Sequence, residues 1–151
     1  MPIIIAIFVF GYVNEHVTFI DDWISWNYEG FENKANWEDL NRLNILLTSL
    51  PEGRVFHEYT NSHNLMFGTP RTLENTPYFT NKPIMEGLLI ESSMTSPYHF
   101  YMQSELSETP TCPISNIRCT TFNVNNSMHH LDLFNIKYIV ASSNKLKQGL
   151  V

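Results

Sequence analysis

Between Gly53 and Leu106 the chain gathers side chains that can do chemistry: Glu58, His63, Arg71, Glu74, Glu86 and Glu91, set among aromatics such as Tyr78, prolines and glycines. Two of the four glutamates could form an acid/base pair of the kind that breaks a glycosidic bond. The same acids could instead neutralise Arg54 or Arg71, or accept from backbone amides and strand ends. A concave polar face edged with aromatics also suits a sugar, because rings stack on pyranose faces while acids and amides bond hydroxyls. The stretch therefore reads as a mixed α/β unit with a polar face over 57–92, whose use the residues alone leave open.

Other chemistries are less well served. The chain has six histidines, but His57 and His63 merely flank Glu58, and His129 and His130 are adjacent. Neither group has the i, i+4 spacing of a helical zinc pair, and His57 and Glu58 point to opposite faces if 54–59 is a strand. No metal site is expected. Ser92-Ser93 follows an apolar run but lacks the G-x-S-x-G elbow of a serine hydrolase. No glycine-rich phosphate loop is present, so no cofactor is expected. Adjacent Asp21 and Asp22 read as a turn or helix start. A net charge of −6, with only Lys145 and Lys147 clustered, argues against a nucleic-acid partner. Cys112 and Cys119 in TCPISNIRCT fit either a short-loop disulfide in an oxidising compartment or two reduced thiols. Asn125-Asn126-Ser127 is a glycosylation sequon.

With 151 residues the chain can form one domain without needing a metal or disulfide to fold. Residues 2–13, PIIIAIFVFGYV, are uncharged and apolar. As a helix they would span about 18 Å, less than the ~30 Å of a bilayer core. They could be a buried element, an unusual signal peptide, or the end of a transmembrane helix, and the last is the reading adopted for 1–13. Trp23, Trp26, Tyr28 and Phe31 follow, as aromatic belts do where a span meets water.

The remainder, 14–151, reads as one α/β domain: a small mixed sheet with flanking helices. WEDLNRLNILLTSL (37–50) has helical spacing of Trp37, Leu40, Leu43, Leu47 and Leu50, with Asn36 as N-cap and Pro51-Glu52-Gly53 as terminator. RVFHEY is a strand. Thr69-Pro70 starts a short helix that Pro77 stops, and IMEGLLIE (84–91) is expected as a second, buried strand. Ser96-Pro97 opens another helix. Residues 107–126 look like loop. MHHLDLF is a short helix capped by Asn135 in the left-handed region, IKYIVAS a strand, and SNKLKQGLV a polar tail.

Several segments together resemble a known family. WISWNYEGFE (Trp23–Glu32), GRVFHE (Gly53–Glu58), FGTPR (Phe67–Arg71), PYFTNKPIMEGL (Pro77–Leu88), ESSMTSPYHF (Glu91–Phe100) and HLDLFNIKYIV (His130–Val140) are similar to the large multi-spanning proteins labelled 6-pyruvoyl-tetrahydropterin synthase-related membrane proteins. The resemblance implies a glycosyltransferase-C-like parent in the cell membrane that uses a lipid-linked sugar. Residues 14–151 would then form an extracytoplasmic domain that shapes or covers the donor or glycan-acceptor site and is inert alone. It implies no pterin chemistry. The catalytic acids of such transferases lie in early loops that have no counterpart here, so no catalytic residue is carried over. The alternative is a free-standing carbohydrate-binding module or a glycosidase-like hydrolase with paired glutamates.

Overall fold

A computed structural model describes residues 2–16, 18–86, 94–116 and 118–151. The chain is mixed α/β. Among the described residues it has eight helices and a two-stranded parallel sheet.

The sheet is the axis. Strand β1 (Arg54–His57) pairs in parallel with β2 (Ile136–Val140), with Val55 opposite Tyr138 and His57 opposite Val140. Parallel neighbours need a long crossover, and here it carries most of the domain. β1 is buried on both sides, as parallel strands under helices are. Phe56 lies in a core with Met85, Met102, Leu106, Val124, Leu131 and Leu146. A second core of Leu40, Phe67 and Leu73 packs against Val140 of β2.

Helix α1 (Pro2–His16) and α2 (Thr18–Tyr28) precede the domain, and α3 (Trp37–Ser49) is its first packed helix. Leu40, Asn44 and Leu47 form its buried stripe. Asn36 sits at the cap position, but its side chain donates instead to the carbonyl of Met66, at 2.6 Å. After β1 come α4 (Ser62–Phe67), a 3-10 turn (Thr72–Asn75) and α5 (Thr76–Thr80). The Thr69 hydroxyl accepts from the Arg71 N–H and so starts the 3-10 turn. Pro77 does not stop this region as expected. It stands in the first turn of α5, where its missing N–H costs nothing.

The strand expected over 84–91 is reduced, in its described part, to one parallel bridge between Ile84 and Val55. The Val55 N–H donates to the carbonyl of Pro83, a residue that can accept in a ladder but not donate. Residues 87–91 lie outside the described residues. Helix α6 (Ser96–Leu106) opens at the Ser96-Pro97 signature as expected.

Helix α7 (Val124–Leu133) begins earlier than MHHLDLF suggests, because the Asn123 side chain accepts from the Asn126 N–H. This helical start also uses up the sequon: Asn125 is exposed, but the Ser127 hydroxyl is buried on the Val124 carbonyl. Asn135 has φ 53°, the left-handed cap that the sequence requires. The tail is not irregular but forms α8 (Asn144–Gly149), whose N-cap Ser143 accepts from the Leu146 N–H; Leu146 enters the core.

Every residue of α1 from Pro2 to His16 is exposed. No single described helix is long and apolar enough to cross a membrane, although Pro2–His16 and Phe19–Tyr28 together have the length and composition of a bent span.

Candidate functional site

The polar residues expected on one face separate into two groups. The first is at the end of β1. Glu58 follows the strand, and its carboxylate Oε2 accepts from the backbone N–H groups of Ser142 and Ser143, both at 2.7 Å. His63 on α4 reaches the Ser142 hydroxyl through Nε2 at 3.0 Å. Burial holds the His63 imidazole below its ordinary pKa, against the pull of Glu58. Two amides that lead into α8 thus meet a negative charge, which is the arrangement that stabilises a helix start. This group ties β1 to the chain beyond β2.

The second group lies on the other side of the strand end, as the alternation of His57 and Glu58 requires. His57 closes β1, Glu86 follows the Ile84 bridge, and His99 sits on the inward face of α6. The His99 Nε2 is 3.1 Å from Glu86 Oε2, and the His57 Nε2 is 3.9 Å from the same oxygen. All three side chains are nearly inaccessible. Gln103, one turn after His99, fixes the arrangement. Its Oε1 accepts from the Tyr59 N–H at 2.8 Å, and its Nε2 donates to the His57 carbonyl at 2.6 Å. Because an N–H can only donate and a C=O can only accept, these two bonds set the amide's orientation.

Arg71 and Glu74 complete this side. The Arg71 Nε donates to Glu74 Oε1, and its Nη2 lies 3.8 Å from Glu86 Oε1. A cavity of about 220 Å³ opens over the group, walled by Arg71, Glu74, Glu86, His99 and Gln103, with Tyr59, Phe100, Thr111 and Pro113 around them. Pro113 belongs to the loop closed by the Cys112–Cys119 disulfide and Thr111 directly precedes it, so the bridge braces one wall. The structure thereby joins the two cysteines that the sequence left open.

Electrostatics separates the groups in the cavity. Burial drives His57 down to about 3, helped by His99 and opposed by Glu86, so the ring is neutral at physiological pH. Burial also pushes Glu86 upward. The hydrogen bond with His99 and the charges of His99, His57 and Arg71 outweigh that push, and its carboxyl titrates below the ordinary value. Glu74 goes the other way, because burial raises it more than the Arg71 hydrogen bond and charge lower it.

Of the expected polar-face residues, Arg71, Glu74 and Glu86 meet at this cavity. Glu58 and His63 serve the other group. Tyr78 is on the surface, packed edge-on against Phe79. Glu91 and Ser92-Ser93 lie outside the described residues. His130 pairs with Glu105 at 2.7 Å, which ties α7 to α6. His99 and Gln103 escaped notice in the sequence. Their signal was the row Ser96, His99, Phe100, Gln103, whose spacing marks one helix face and here the buried one.

The family described as a domain of unknown function (DUF8559) matches residues 48–150, and the chain belongs to it. The matched region takes in β1, β2 and every residue of the cavity wall. No curated protein and no solved structure matches the chain.

Proposed function

We propose that this DUF8559 chain is the extracytoplasmic domain of a membrane-anchored, glycosyltransferase-like protein, and that its cavity contacts a polar part of a lipid-linked donor or a glycan acceptor. The observation that carries the anchoring is α1: it is apolar from Pro2 to Val13 and exposed throughout. In water such a surface is unfavourable by roughly 25 cal/mol per Å², whereas a bilayer would remove that cost. Phe19, Trp23 and Trp26 of α2 continue the surface as an aromatic band, which suits the boundary between lipid and water. The disulfide supports an oxidising side of the membrane. The sugar reading comes from the resemblance to glycosyltransferase-C-like proteins, and Arg71, Glu74 and Tyr59 supply donors and acceptors for hydroxyl or phosphate groups. The domain shapes or covers the substrate site and does no chemistry by itself.

The test compares the chain from Pro2 with a version starting at Gly30. The long form is expected to stay with membranes after alkaline extraction, and the short form to be soluble. A long form that is monodisperse without detergent would sink the anchoring. Saturation-transfer NMR with a polyprenyl-phosphate hexose tests the ligand, with contact expected at Tyr59.

One observation favours a second reading. Glu74 is pushed up and Glu86 down in the same cavity, which is how a glycosidase separates its proton donor from its ionised partner. Turnover of an aryl glycoside that Glu74→Gln abolishes with the fold intact would establish it. No turnover across a panel of such substrates would remove it.

A further inference from the structure

The proposed function makes no use of His57, although this histidine is buried beside Glu86 and His99. We propose that His57, Glu86 and His99 form a binding site for a divalent transition metal ion of the Zn²⁺ type, with its open coordination position toward the cavity. The inference goes beyond the membrane reading and does not depend on it.

Geometry is the first support. Each of the three residues offers one ligand atom, and the three atoms lie within 4.8 Å of one another. A tetrahedral site with bonds of about 2.0–2.1 Å has ligand atoms about 3.4 Å apart. The separations from Glu86 Oε2, 3.1 Å to His99 and 3.9 Å to His57, straddle that edge.

The ligands come from three separate places in the chain: the end of β1, the segment after the Ile84 bridge, and the first turns of α6. Two imidazoles and one carboxylate suit zinc or a neighbouring transition ion. They do not suit Ca²⁺ or Mg²⁺, which take oxygen ligands. Glu86 and His99 also wall the cavity, so a fourth ligand, water or a substrate oxygen, could reach the ion from there.

Hydrogen bonding is the second support. The Gln103 amide is oriented by the Tyr59 N–H and the His57 carbonyl. Its Nε2 therefore faces His99 Nε2, at 3.3 Å, with a hydrogen. That contact wants a lone pair on His99 Nε2. The Glu86 carboxylate, 3.1 Å from the same nitrogen, wants a proton there. One ring nitrogen cannot satisfy both. A cation between His99 and Glu86 would hold the ring nitrogen and the carboxylate through their lone pairs, while Gln103 Nε2 keeps the His57 carbonyl as its acceptor. In addition, the Nδ1 atoms of His57 and His99 are buried with no hydrogen-bond partner among the described residues. Ligation through Nε2 would fix the proton of each ring on Nδ1, where it needs an acceptor such as water.

The experiment uses the full chain in detergent micelles, stripped with a chelator and titrated with ZnCl₂ by calorimetry. One Zn²⁺ per chain is expected, and Glu86→Gln and His99→Asn should each weaken it by at least ~100-fold. His129→Ala, an exposed histidine on α7, should leave it unchanged. Wild-type binding no tighter than that of the Glu86→Gln, His99→Asn double variant would overturn the site, as would binding lost in His129→Ala. To separate loss of the site from loss of the fold, the unaltered protein is also titrated with Co²⁺. Intense visible absorption from a four-coordinate ion supports the site, and a weak six-coordinate spectrum or none overturns it.

Discussion

Glu58 and Glu86 are both carboxylates withdrawn from water, each with a histidine close by, on opposite sides of the end of β1. Their partners differ in kind. Glu58 is met by two backbone amides that cannot move without unravelling the start of α8. Glu86 is met by His99, His57 and Arg71, and it borders a cavity. The first acid has one oxygen held by two backbone donors, while its other oxygen, Oε1, is buried with no hydrogen-bond partner among the described residues. The second has groups that compete for the same proton and has room for something more. An acid anchored by backbone amides ties a fold together, whereas one held by titratable side chains beside open volume is a place where a ligand can act.

Acid titration should give the largest effect, with His57 and Glu86 on one side and the depressed His63 beside Glu58 acting in the same direction. In the chelator-treated protein, His57 binds a proton at about 3 when folded and near 6.5 when unfolded. The unfolded chain thus takes up more protons on acidification, and stability present above pH 6.5 is lost progressively as pH falls toward 3. Glu86, also depressed, adds a loss in the same direction below its ordinary value of 4.5. The combined effect is on the order of 4 kcal/mol, read as urea unfolding midpoints from pH 7.5 to 4. His57→Phe should flatten the slope, and an unchanged slope would place the acid sensitivity elsewhere.

Next is Glu58→Ala, which leaves two inward-facing amides unmatched. It should destabilise the fold by about 3 kcal/mol in chemical denaturation. Zn²⁺ affinity should be untouched, and a shared loss would erase the distinction between the sides. Replacing both Cys112 and Cys119 by Ser should lower stability by about 2 kcal/mol. Faster hydrogen exchange should appear at Thr111 and around the cavity, not at Ser142 and Ser143. Glu86→Gln should shift metal-free stability by under about 1 kcal/mol, since the loss of charge removes a desolvation burden along with a favourable interaction. Smallest of all, Tyr78→Ala on the surface should stay within about 0.5 kcal/mol, and its thermal melt should overlay the parent's.

Much of the frame was legible in the chain. Leucine spacing marked α3, Ser96-Pro97 marked α6, and Asn135 marked the turn into β2, because each depends on local geometry. The misses have local causes too. Pro77 reads as a stop unless the preceding turn is known to end at Asn75. Asn123 and Ser143 are good caps, but short helices in polar sequence carry little periodicity. The site was harder still. His57 was weighed as a ligand with its sequence neighbour His63, yet a strand sends adjacent side chains to opposite faces and the crossover brings back Glu86 and His99 instead. Glu58 and Glu86 look alike in sequence, and only the folded chain shows which one is bonded by backbone amides.

The pairing of β1 with β2 has a consequence for how the domain is made. Its two strands lie near opposite ends of the matched region, and the bonds from Glu58 to Ser142 and Ser143 close a loop of similar length. Contacts of such high sequence separation form late and slow folding. The central strand can find its neighbour only after nearly the whole chain has been synthesised. Until then β1, buried on both sides in the finished fold, is an uncovered apolar strand with a free edge, the kind of segment that invites aggregation. A domain delivered through a membrane would remain unfolded during passage and fold only once its last helix had emerged.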